Sequence, residues 1–231
     1  MPRFRIAFSK GDEARFLSHL DVVKAFERAI RRAEIPIAFS EGFNPHPKMN
    51  FASALAVGVT SETEYLDIEL KPETDVPDIA GMLARSLPVG LGVNSGQEVS
   101  EQSPSLMAKV NRAVYKVIAE LTGPLDTEEL QQKIAGFLGE TEVVITKTTK
   151  KGPRQRDIRP GILSLDGIIR GACAEFTLTT VAGSDGNVRP EEVIKAFIDR
   201  TAEVVDGDSQ YIKRMSLYIE NDGARMDPMD L

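Results

Sequence analysis

The chain has one cysteine, two histidines and no tryptophan in 231 residues. A single cysteine excludes an internal disulfide and a cysteine-ligated iron-sulfur cluster. Cys173 stands between Ala172 and Ala174 beside an apolar run and reads as a small buried hydrophobe. There is no H-x-x-x-H or paired-cysteine spacing, and Asn44 with His46 cannot fill a coordination shell, so no metal is expected. A Walker-type phosphate loop and a G-x-G-x-x-G are also missing, and no cofactor is expected. No apolar run approaches the roughly 20 residues that span a bilayer. Met1, Pro2, Arg3, Phe4 and Arg5 lead directly into alternating structure without a signal-peptide core. The expectation is a cytoplasmic protein with no membrane contact. What is present is ordinary for a globular chain: 42% hydrophobic and 27% charged residues, enough to bury a sizeable core.

The formal net charge is −7, which argues against a general nucleic-acid coat, but the charge is segregated. Residues 1–50 hold nine Lys and Arg against six Asp and Glu, a balance of +3. Residues 147–159 hold six against one, a balance of +5, which leaves −15 on the other 168 residues. Two basic regions on an acidic body would steer a polyanion to one place and repel it elsewhere; the plainer alternative is two solvated basic faces.

Periodicity predicts α+β architecture. Phe4, Ile6 and Phe8 alternate with Arg3, Arg5 and Ala7 as in a half-buried strand. Ser18 and Asp21 form a capping-box pattern, followed by Leu20, Val23, Phe26 and Ile30 at helical spacing over residues 18–34. Lys24, Arg28 and Arg32 fall on one exposed stripe of that helix. Residues 37–40 read as a short strand, and residues 51–59 as a small-residue segment packed close to another backbone. Residues 65–70 alternate with Leu66, Ile68 and Leu70 inward and Tyr65, Asp67 and Glu69 outward. A helix over 78–87 stops at Pro88, and 91–93 supplies a last strand. After a polar linker the order returns: strand 113–121, helix from Asp126 to Gly139, strand 142–146, strand 175–181, helix from Pro190, strand 211–219. Asp166 and Gly167 between apolar pairs signal a hairpin turn. Two βαββαβ passes describe a tandem ferredoxin-like fold, with antiparallel sheets and helices on one face. The expected domains are residues 1–97 and 111–220, joined by a linker at 98–110 and followed by a frayed tail at 221–231.

Two stretches carry candidate chemistry. Gly42, Phe43, Asn44, Pro45, His46, Pro47 and Lys48 form a loop in which two prolines flank a histidine, so neither a helix nor a central strand can pass and His46 is displayed. Lys147, Lys150, Lys151, Arg154, Arg156 and Arg159 make a basic run over 147–160, broken by Gly152, Pro153 and Pro160 and read as an extended arm. Such density suits phosphate neutralisation, and arginine can also stack on unpaired bases. His19 opens its helix, where the dipole disfavours the imidazolium and favours a bound phosphate; it either faces a ligand there or is a helix-start histidine bonded to backbone. The candidate nucleic-acid residues are Arg15, His19, Arg28, Arg32, Asn44, His46 and Lys48 together with the six of the basic run. His19, His46 and Tyr65, with Lys48 as a further acid, are the candidate catalytic groups of a metal-independent ribonuclease.

The residues also carry a family likeness. The runs from Arg5 to Gly11, Ala14 to Asp21, Phe26 to Ala33, Pro36 to Lys48 and Glu64 to Ile68 together resemble the bacterial radical SAM-linked protein family, a domain of unknown function. Asp157, Ile158, Arg159 and Pro160, and the helix start at Arg189, Pro190, Glu191, Glu192 and Val193, resemble its second half. The resemblance implies a setting beside a separate radical SAM enzyme. The chain itself has no C-x-x-x-C-x-x-C cluster motif. The reading that follows is an RNA-binding accessory or substrate-presenting protein for RNA modification or processing. The alternatives are a ribonuclease related to CRISPR RNA-processing endonucleases, which is fold analogy alone, and a protein-docking module that makes no RNA contact.

Overall fold

The computed structural model describes the chain except residues 73–77, 150–151, 184–185 and 202–203, and at Thr149 the backbone alone. It is an α+β protein in two compact units, the first built from Met1–Asn111 with Ser216–Leu231 and the second from Arg112–Met215.

In the first unit, β1 (Arg3–Lys10) is followed by α1 (His19–Arg32), β2 (Met49–Phe51), β3 (Val59–Glu69), α2 (Ile79–Ser86), β4 (Leu91–Val99) and a single-turn α3 (Leu106–Lys109). The strand order is β4-β1-β3, with β2 also on β3, and every pairing is antiparallel. Helix α1 starts where the sequence says it should. Ser18 Oγ accepts from the Asp21 amide while the Asp21 carboxylate accepts from the Ser18 amide, so two otherwise orphaned donors are satisfied. Its buried face is Val22, Phe26, Ala29 and Ile30, and Phe26 meets Phe8 and Phe51 edge-on at centroid distances of 4.8 and 5.7 Å. Leu20, expected inward, points to solvent, because the inward turn at that level is completed by Val22.

The outward faces of β1 and β3 are not outward. Arg5 and Asp67 stand opposite one another in the register and are both buried. Arg5 Nε and Nη2 donate to the two oxygens of Asp67 at 2.7 and 2.9 Å, and Nη1 donates to the carbonyls of Pro228 and Leu231 at 2.6 and 3.1 Å. Tyr65, on the same face, is buried with its hydroxyl 3.1 Å from Asp227. The cover comes from residues 221–231, which form no frayed tail: β11 (Ala224–Met226) and a 3-10 turn at Pro228–Asp230 return over the sheet. Residues 37–40 make isolated bridges, Ile37 to Leu70 and Phe39 to Pro47, instead of a strand. The apolar stretch after Phe51 does pack on backbone, with the Ala52 amide on Tyr65 O and the Gly58 amide on Arg15 O. The polar stretch from 98 is less of a linker than its composition implies, since β4 runs to Val99 and Leu106 and Val110 are buried.

In the second unit the order is β5 (Arg112–Glu120), α4 (Thr127–Leu138), β6 (Val144–Thr149), β7 (Gly152–Asp157), β8 (Ile162–Arg170), β9 (Cys173–Val181), α5 (Pro190–Thr201) and β10 (Tyr211–Asn221). β10 is divided between the units and pairs antiparallel with β11 at its C-terminal end. The pairing order is β5-β9-β8, and Phe137, Phe176 and Phe197 form the aromatic centre. Asp166 and Gly167 make no hairpin turn; both lie inside β8, opposite Thr177 and Phe176. A Cβ on Gly167 would come within 2.9 Å of Ile134 and 3.0 Å of Leu130, so the glycine is there for close approach of α4 to the strand. The strand expected at 142–146 belongs to a separate two-stranded hairpin, in which β6 pairs with β7 and the basic run is part of the ladder. Cys173 begins β9 and is partly exposed, not buried.

Candidate functional site

The loop over residues 42–48 is fixed at its base. The Ser40 amide donates to His46 O at 2.9 Å, the His46 amide donates to Ser40 Oγ at 3.0 Å, and the Lys48 amide donates to Ala38 O at 2.9 Å. Gly42 has φ of +120°, a conformation that admits glycine and disfavours a side chain, and it lets the chain reverse in this short span. Phe43, Asn44 and His46 at the tip are all exposed. His46 is thereby displayed, on a loop whose geometry owes more to the Ser40 clasp than to the prolines alone.

One edge of this loop closes a pocket of about 510 Å3, a volume suited to a small organic ligand. Phe39, Pro45 and Pro47 give it an apolar wall, His46, Arg31 and Lys71 supply donors, and Glu27 and Glu34 supply acceptors. Glu34 follows the C-terminal cap of α1 with φ of +55°, which turns the chain from the helix into the pocket floor at Ile35, Pro36 and Ile37.

The remaining predicted residues are distributed differently. Arg15 and His19 lie elsewhere in the unit: Arg15 Nε donates to Gly58 O at 2.7 Å, and His19 lines a small recess with Phe8, Lys10, Val22, Phe51, Ser53, Leu55 and Glu64. The recess and the His46 pocket share no lining residue. His19 packs edge-on to Phe51 at 5.3 Å, and partial burial lowers its pKa from the ordinary 6.5. Burial, reinforced by Asp227, raises the Tyr65 pKa far above the usual phenol value. His19 and His46 line different recesses, and Tyr65 lines neither of them. Arg28 is exposed on α1. Arg32 Nη2 donates to Ser86 O, closing the end of α2, and Lys48 Nζ pairs with Glu69 at 2.9 Å. Both have structural employment that residue type alone does not reveal.

In the basic run, Arg154 is exposed on the hairpin, Lys147 pairs with Glu192 at 2.9 Å and Arg156 donates to Asn187 O at 3.0 Å. Arg159 is partly buried and donates to Leu138 O and Ile162 O, so it caps α4. Lys150 and Lys151 lie outside the described residues. Among the described residues no group of three or more His, Cys, Asp or Glu side chains could hold a metal ion. No helix among them is long and apolar enough to cross a membrane. Sequence reasoning missed Lys71, Phe39 and Glu34 as pocket-lining residues. It also missed Lys10, although that residue continues the inward series Phe4, Ile6, Phe8 at period two.

Fold and pocket define an α+β protein whose first unit offers a concave site with an apolar wall and both donors and acceptors. The chain belongs to the family described as "Uncharacterized protein conserved in bacteria (DUF2344)", which matches residues 3–190. No curated protein matches it in sequence. Among solved structures it is similar to a chain of a Cbf5-Nop10-Gar1 complex, at 12% identity and a TM-score of 0.51, covering 98% of this chain and 53% of that one. It is also similar to a chain of an archaeal box H/ACA sRNP Nop10-Cbf5 complex, at 12% identity and a TM-score of 0.46 over 90% of this chain and 47% of that one. A third similar chain comes from an H/ACA RNP bound to a substrate RNA containing 2'-deoxyuridine, at 11% identity and a TM-score of 0.48 over 91% and 47%. The chain thus spans about half the length of these structures.

Proposed function

We propose that this chain is an RNA-binding accessory protein whose first unit holds a nucleotide in the His46 pocket. The observation that carries the reading is the pocket's mixture of groups: a flat apolar wall at Phe39, Pro45 and Pro47 for a base, Arg31, Lys71 and His46 for phosphate, and Glu27 and Glu34 as acceptors for ribose hydroxyls or base amino groups. The exposed Arg154 of the β6-β7 hairpin supplies a sequence-independent backbone contact. In the same reading each unit is a ferredoxin-like repeat: the first runs β1-α1-β2-β3-α2-β4, and the second runs β5-α4-β8-β9-α5-β10 with the β6-β7 hairpin inserted after α4, which is βαββαβ connectivity in both. The resemblance to radical SAM-linked proteins supports a separate radical SAM enzyme as the partner, with this chain presenting the RNA. No observation favours the ribonuclease, whose candidate groups occupy separate places.

The test is equilibrium binding of a single-stranded RNA pool at increasing salt. Each phosphate neutralised contributes a slope of about −0.7 in log K against log salt, so Arg31→Ala is expected to flatten the slope by about that amount. Salt-independent binding, or none, rejects the reading. A pull-down of the partner enzyme that survives nuclease would assign the chain to protein docking instead.

A further inference from the structure

The second unit leaves the outer edge of β6 open beside a cleft. Among the described strands β6 pairs with β7 alone. The Ile158 amide, just past β7, donates to Val143 O at 2.9 Å, which sets the parity of the ladder. Ile145 and Lys147 turn their main-chain groups toward β7, and Val144, Thr146 and Thr148 turn theirs away. Two contacts agree with this parity. Arg200 Nη2 donates to the outward carbonyl of Val144 at 3.0 Å, and Pro153, which has no N–H to give, stands opposite Thr148 in a pair that exchanges no ladder bonds. Among the described residues nothing takes the outward amide and carbonyl of Thr146, which is exposed.

That edge borders a cleft of about 390 Å3 against α5, within the size range of ligand sites. Val144, Ile145, Thr146 and Lys147 all line it. Successive strand side chains point to opposite faces, so four consecutive lining residues mean that the cleft meets β6 along its edge. Glu192, Lys195, Ala196 and Asp199, one face of α5, stand on the other side. The charges on these walls are already matched: Lys147 with Glu192 at 2.9 Å, Lys195 with Asp199 at 3.5 Å, and Arg200 with Glu140 at 3.5 Å. A cleft whose cations are neutralised is a poor phosphate site, whereas an open main-chain edge is matched by another main chain. A second copy of this chain does not suit the charge. Residues 144–157 hold five Lys and Arg against one Asp, so two β6 edges brought together would set +4 against +4.

We propose that the β6 edge and the α5 cleft hold an extended segment of a partner protein, which adds to β6 as a third strand and carries acidic residues toward Lys147 and Arg154. The Thr146 amide and carbonyl make the central pair of main-chain bonds. Uncharged side chains of the segment lie between the matched ion pairs. Acidic ones at its end meet Arg154, which is exposed and opposite Lys147 in the register. The site stands apart from the His46 pocket, which belongs to the other unit.

The experiment uses the full chain, isotope-labelled for nuclear magnetic resonance, and a ten-residue peptide of alternating threonine and valine that ends in three glutamates. Added peptide is expected to shift the Thr146 amide resonance and to slow its exchange with solvent. The same peptide N-methylated at alternate amides is expected to bind about tenfold or more weakly, the worth of two main-chain hydrogen bonds. Thr146→Pro is expected to cost a similar factor in peptide affinity, read by fluorescence anisotropy, while Thr146→Val, which keeps the main chain, binds as the wild type does. Lysines in place of the glutamates are expected to weaken binding. Equal affinity for the plain and N-methylated peptides overturns the proposal, and that comparison needs no variant to fold. Peptide binding that leaves the Thr146 amide unmoved, or no binding, also overturns it. A 12-nucleotide single-stranded RNA that shifts the Thr146 amide where the peptide does not overturns it in favour of nucleic acid.

Discussion

The buried Arg5 and Asp67 pair gives the sharpest test of how the first unit is held together. Arg5 is fully buried, Asp67 is 3% exposed, and the guanidinium makes two bonds to the carboxylate and two to the carbonyls of Pro228 and Leu231. Replacing Arg5 with Met keeps most of the aliphatic volume but leaves a carboxylate uncompensated in the sheet, at a cost of about 3–5 kcal/mol. Against a total stability of roughly 5–15 kcal/mol, that is a large fraction. With a urea m value of about 2 kcal/mol/M, the midpoint should fall by roughly 2 M. The chain has no tryptophan, so the transition is followed by far-UV circular dichroism. Arg5→Met with Asp67→Leu removes both charges and should recover most of the loss, since an apolar pair of similar volume is close to neutral. Limited proteolysis should meanwhile cut residues 221–231 faster in both variants, because the bonds to Pro228 and Leu231 are gone in each. A cost below about 1 kcal/mol for Arg5→Met, or a double variant no more stable than the single, would refute the reasoning.

Two further outcomes follow from the same structure. Gly167→Val places a side chain against Ile134 and Leu130 and should cost about 1–3 kcal/mol in thermal or urea denaturation, whereas a hairpin-turn glycine at the surface would tolerate the change differently, through its backbone. For His19, burial lowers the folded-state pKa below 6.5, so the unfolded chain binds the proton first and stability falls as pH drops through about 6.5 toward the folded value. Stability curves between pH 7.5 and 5.5 should show that slope in the wild type and a flatter one in His19→Gln; an unchanged slope would remove His19 as its source.

Periodicity was a reliable guide where one face meets the core and solvent takes the other. The α1 capping box, the Phe26 and Ile30 stripe and the Pro190 helix start could all be read directly, because each is a local rule satisfied within a few residues. Arg5, Tyr65 and Asp67 depart from the alternation for a non-local reason: their face is covered by residues more than 150 positions away, and alternation cannot register a cover that arrives from so distant a segment. Gly167 shows the same limit, since an Asp-Gly pair signals a turn only if nothing packs over it. The His46 loop was visible as a display element from its prolines, but its pocket partners Arg31, Lys71 and Phe39 come from three separate segments. Arg32, Lys48 and Arg159 looked like ligand cations by residue type and prove to hold backbone carbonyls or a carboxylate. Residue type gave the charge, and only the folded neighbours assign its use.

The central claim is that RNA enters the His46 pocket. Ultraviolet crosslinking of the full chain to bound single-stranded RNA, with the crosslinked peptides identified by mass spectrometry, tests it most directly. Crosslinks are expected within residues 39–48 or at Lys71, and they are lost on His46→Ala with Arg31→Ala. Crosslinks confined to other segments, or none under conditions where RNA is bound, would contradict it.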